Sequence, residues 1–82
     1  MSEVQTFVGM DFGKVEIPVI VIYENPKDFP GEFVGRLFDG VKPTKWYAKG
    51  AHEVDVVGKI PTGFVRLERA YLDEPHIVCT YF

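Results

Sequence analysis

Ile17-Pro18-Val19-Ile20-Val21-Ile22-Tyr23 is the stretch that decides how this chain is read. Five of its residues are β-branched aliphatics and none is charged. Such side chains are stiff at their first torsion and fit a pleated surface better than a helix. An uncharged run of this length reads as a central strand covered on both faces. Pro18 has no N–H for a ladder, so it belongs at the strand's start or at a bulge.

Working outward, Glu24–Gly31 holds Pro26, Pro30 and an Asn before a proline, which predicts a stiff connection. Phe29 is its anchor back onto the domain. Glu32–Asp39 alternates and reads as a strand antiparallel to the first, with Gly35 marking a bulge or a close approach. Asp39-Gly40 is a turn signal, continued by Lys42-Pro43. Thr44–Lys49 reads as the third strand of a meander. Ala51–Ile60 is valine-rich, but Glu53 and Asp55 at its start, Lys59 near its end and Pro61 beyond it favour a short helix. Its apolar side is expected to hold Val54 and Val57, with Val56 and Ile60 as further candidates. Phe64–Ala70 reads as a strand with Val65 and Leu67 inward and Arg66 and Glu68 outward. Tyr71–Pro75 reads as a loop. His76–Phe82 is a last strand, either interior or set against a partner.

The fold class expected is α+β: a mainly antiparallel sheet of four to six strands, opening as a meander, with one short helix on one face. Eighty-two residues make one domain. Residues 4–8 are expected as a short strand, and residues 1–13 as a flexible arm or short edge strand.

Net charge is −3, with two lysines against six carboxylates in residues 1–32 and a near balance after them. A general duplex-DNA binder needs more phosphate contacts than this balance offers. The longest uncharged run is too short to span a membrane. One cysteine excludes an internal disulfide, and no charged-then-apolar leader opens the sequence, so cytoplasmic residence is expected.

His76 and Cys79 would point to opposite faces of a strand and could not share a metal ion. His52 beside Glu53, and His76 near Glu74, lack a nucleophile, an orienting third group or a phosphate-binding loop. No catalytic residue, metal or cofactor is therefore expected. Arg36, Phe38, Lys45, Tyr47 and Lys49 could share one sheet face, the pattern by which single strands of nucleic acid are stacked and neutralised. With Phe29, Tyr81 and Phe82 they are the candidate partner-binding residues. The function expected is a non-enzymatic protein-interaction domain whose partner is another protein or a second copy. Single-stranded nucleic-acid binding is the alternative.

Tyr23–Gly31, followed by Val34, Arg36–Asp39, Lys42–Thr44, Ile60-Pro61 and Arg66-Leu67, resembles a group of small uncharacterised proteins of Gram-positive bacteria and their prophages. The resemblance covers about residues 17–82. In that group the segment matching Val54–Ile60 is more helical, with charges where this chain has Val56 and Gly58. The resemblance implies no activity, cofactor or catalytic residue.

Overall fold

The computed structural model describes residues 2–69 and 74–82. The elements are β1 (Ser2–Glu3), β2 (Pro18–Glu24), β3 (Phe33–Asp39), β4 (Lys42–Gly50), α1 (Glu53–Val57), β5 (Arg66–Glu68) and β6 (Ile77–Tyr81). They form one six-stranded sheet in the order β1-β4-β3-β2-β6-β5. Every pair is antiparallel except β1 with β4. With one short helix, this is an α+β fold.

The apolar run forms β2, and Pro18 is its first residue. From there β2 pairs on both sides, Ile20 lying opposite Leu37 of β3 and Tyr81 of β6. Gly40, at φ 61°, makes the turn into β4, as Asp39-Gly40 promised. Lys42 and Pro43 already belong to β4 rather than to the turn. Between Arg36 and Phe38 the register slips, so β4 carries two extra residues there. The Thr44 hydroxyl fills this irregularity by donating to the Leu37 carbonyl at 2.6 Å.

Successive side chains alternate between faces. One face carries Ile20, Ile22, Leu37, Ala48, Cys79 and Tyr81, all buried with Val56 of α1 and Phe7. Each fully buried aliphatic of this kind contributes about 1.5–3 kcal/mol. This face is covered by α1 and by the segment before β2, whose Val4, Met10, Phe12 and Val15 pack against the cluster. The strand expected over residues 4–8 lies instead at Ser2–Glu3, and Phe7 is wholly buried. The Phe7 N–H donates to the Lys59 carbonyl at 2.9 Å, which ties this segment to the exit of α1.

Helix α1 is shorter than its boundary signals suggest. Asp55 accepts the His52 backbone N–H at 3.1 Å and closes the first turn. The helix ends at Val57, and Lys59 lies past it, its ammonium donating to the Lys49 carbonyl at 2.6 Å. Val56 faces the core and Val57 and Ile60 flank it, whereas Val54 is 72% exposed. Two residues before Val56, Val54 sits on the far side of a 3.6-residue helix, so its expected place in the apolar stripe is corrected.

The inward placement expected for Val65 and Leu67 is corrected: every residue of β5 is exposed. Arg66 lies opposite Tyr81, on the α1 side of the sheet, and Glu68 shares its face. Val65 and Leu67 therefore point to the other face and are 60% and 57% exposed. The Tyr81 ring and hydroxyl and Glu53 of α1 give Arg66 partners there that solvent would otherwise supply. Ala70 and the first part of the Tyr71–Pro75 loop lie outside the described residues.

Candidate functional site

The second face of the sheet is the side away from α1, and only part of it is covered. It carries Val19, Val21 and Tyr23 of β2, Val34, Arg36 and Phe38 of β3, and Tyr47 and Lys49 of β4. Beyond β2 it continues through Thr80 of β6 to Leu67 of β5. The expectation that β2 is fully covered on both faces holds only on the α1 side, since Val19, Val21 and Tyr23 stay partly exposed.

The 25–32 loop covers the β3–β4 half. Asn25, at φ 51°, accepts the Gly31 N–H on its side-chain oxygen at 2.7 Å, and its own N–H donates to the Glu32 carbonyl. Those bonds fold the loop back. Phe29 then lands on Tyr47 with ring centroids 5.1 Å apart, in a tilted stack. Lys49 lies 5.0 Å from the Phe29 ring and 3.4 Å from the Glu32 carboxylate. Arg36 pairs with Asp28 and lies 5.6 Å over the Tyr23 ring. The Arg36 hydrogen bond holds the Asp28 carboxyl below the usual carboxylate range.

Between this loop and the residues that lead into β6 lies an open cleft of about 360 Å³, lined by Tyr23, Pro26, Lys27, Asp28, Arg36, Glu74 and His76. Burial, with Glu74 adding to it, pushes the Tyr23 phenol above its ordinary pKa. The His76 Nδ1 lies 3.0 Å from the Glu24 carbonyl, which fixes the ring at the rim. Lys27 and Arg36 line this cleft together with Asp28 and Glu74, so charges of both signs face it.

The β5–β6 half carries a different surface. Val65 and Phe82 exchange both backbone hydrogen bonds, at 2.7 and 3.1 Å. Phe82 is therefore extended, and its side chain falls on the face of Thr80 and Leu67. Val65, Leu67 and Phe82, each more than half exposed, line the free margin of the sheet beside Val19 and Val21. No described segment pairs with the outer side of β5.

The residues singled out from sequence therefore divide. Phe29, Arg36, Tyr47 and Lys49 come together, already engaged with one another or with Asp28 and Glu32. Phe38 is partly buried on the same face. Lys45 lies 5.0 Å over the Trp46 ring, beside the irregular part of β4. Tyr81 is a core residue and accepts an Arg66 hydrogen bond, so it is not available to a partner. Phe82 is exposed at the margin. Val65 and Leu67 were missed, because alternation gives two faces but does not say which is inward. The orientation is set by Tyr81 opposite Arg66, a pairing across the sheet that local alternation does not carry.

Among the described residues no group of His, Cys, Asp and Glu could hold a metal ion, and no helix is long and apolar enough to cross a membrane. Comparison with family models, curated proteins and solved structures finds no match.

Proposed function

We propose that this protein is a small non-enzymatic interaction domain that docks a partner through the β5 edge. The observation that carries the reading is the margin itself: a strand whose outer side has no described neighbour, flanked on one face by Val65, Leu67 and Phe82. An open strand edge offers a partner main-chain donors and acceptors, and the flanking apolar side chains add burial. The opposite margin is a two-residue strand, Ser2–Glu3, with polar side chains only. There β1 lies along β4, and the Lys59 ammonium occupies the Lys49 carbonyl.

Single-stranded nucleic-acid binding has less support. Of the basic–aromatic set, Arg36 and Lys49 are paired with carboxylates, and Tyr47 is stacked against Phe29 of the loop.

The test is affinity capture from cell extract with the wild-type chain and with Leu67→Lys, whose change lies on an exposed side chain. The reading predicts at least one bound protein, the chain itself included, that is lost on Leu67→Lys. Identical captured sets would contradict it.

A further inference from the structure

We propose that the partner of the β5 edge is a second copy of this chain, joined antiparallel across a two-fold axis that passes between the two Leu67 residues. The inference rests on the edge-docking reading above and adds the partner and the register.

The hydrogen-bond pattern fixes which groups the edge offers. Val65 and Phe82 form a mutually bonded pair, and pairing runs on through Arg66 with Tyr81, Leu67 with Thr80 and Glu68 with Cys79. In an antiparallel ladder bonded and non-bonded pairs alternate. Leu67 therefore turns its N–H and C=O inward to β6. Arg66 and Glu68 turn theirs outward, to the open side.

A symmetric antiparallel pair must match outward groups with outward groups, so only registers centred on a residue are allowed. Centring on Arg66 sets two guanidinium groups face to face, and centring on Glu68 sets two carboxylates face to face. Like charges directly opposite are unfavourable. Centring on Leu67 sets Arg66 against Glu68 of the second copy, and Glu68 against its Arg66. That register makes four inter-chain backbone hydrogen bonds and two facing pairs of opposite charge.

Within one chain Arg66 already binds Glu68, at 2.5 Å, and Glu53, at 3.2 Å. In the dimer the same guanidinium lies between its own Glu68 and the second copy's. On the opposite face the two Leu67 side chains meet at a non-bonded pair, with Cα atoms about 4.5 Å apart. The Val65, Leu67 and Phe82 patches of both copies then form one surface. A contact this short falls in the class of small, weak interfaces, below about 1,200 Å². The dimer is therefore concentration-dependent.

Two experiments test the register. In the first, Leu67→Cys and Val65→Cys are each oxidised at high protein concentration. The Leu67 positions fall within the Cα separation of about 4.4–6.8 Å that a disulfide spans, whereas the Val65 positions lie four residues apart along the paired strands. Leu67→Cys should run at twice the chain mass without reductant, and Val65→Cys should stay monomeric. Equal cross-linking of the two, or none with Leu67→Cys, overturns the proposal.

In the second, Arg66→Glu and Glu68→Arg are studied by sedimentation equilibrium, apart and mixed. Each alone sets like charges opposite and should lose the dimer. Their mixture restores opposite charges at both pairs and should recover a heterodimer. A mixture that stays monomeric while the wild type dimerises overturns the register. If the wild type is monomeric at every concentration and Leu67→Cys does not cross-link, yet Leu67→Lys still loses a captured protein, self-pairing is overturned and edge docking stands. If that capture is also unchanged, both are overturned.

Discussion

Gly50 closes β4 directly against Asp55 and Val56 of α1. A Cβ there would stand 2.7 Å from the Asp55 Cβ, closer than side-chain carbons approach. Gly50→Ala must therefore push α1 off the sheet. It should cost about 1–3 kcal/mol in denaturant unfolding, as overpacking does; an unchanged midpoint would show that α1 is loosely held. Ile20 tests the opposite defect. It is fully buried between Leu37 and Tyr81. Ile20→Ala should cost about 2–5 kcal/mol, and a loss near zero would mean that β2 is not the core strand. Asp28 and Arg36 make an electrostatic prediction. The folded Asp28 carboxyl titrates below its unfolded value because it accepts from Arg36. Its stabilising effect is thus present above the ordinary Asp pKa of about 3.9 and is lost as pH falls through the lower folded value. The pair is partly exposed, so the effect is about 1 kcal/mol or less. In an NMR titration, Arg36→Gln should move the Asp28 midpoint up to the ordinary range; an unmoved midpoint would exclude the pairing.

At the scale of elements, most of the sheet was legible. Ile17–Tyr23 announced β2 because a short, β-branched, uncharged run bounded by turn signals suits a covered strand. Alternation over Glu32–Asp39, with Asp39-Gly40 behind it, gave the β2–β3–β4 meander. Helix α1 was legible through Asp55 and Pro61 rather than through its valines, since propensity alone favours a strand. Two features were not legible. The orientation of β5 depends on a long-range neighbour, Tyr81, that brings Arg66 to the α1 side of the sheet. The pairing of Ser2–Glu3 with β4 depends on two polar residues with no strand signal of their own. The candidate site was legible in its basic–aromatic members. The carboxylates that occupy them, Asp28 and Glu32, come from a loop whose path is set by Asn25 and Gly31 backbone geometry.

The whole molecule is a sheet with one face closed and the other half-closed. The closed face depends on the segment before β2, where Phe7 joins the same cluster as Ile20 and Val56. Phe7→Ala should cost about 3–5 kcal/mol, while exposed Val8→Ala should stay within about 0.5 kcal/mol. Equal, small effects at the two positions would mean that residues 2–15 do not complete the core. The half-closed face ends at β5, and the claim that this margin is a pairing edge unites the fold with its proposed use. Amide hydrogen exchange at Arg66, Leu67 and Glu68, followed as protein concentration is raised, tests that claim most directly. At low concentration Leu67, bonded to β6, should exchange slowly and Arg66 and Glu68 fast. At high concentration all three should be protected, with no change at Ser2 or Glu3. Arg66 and Glu68 amides that exchange fast at every concentration would contradict the account.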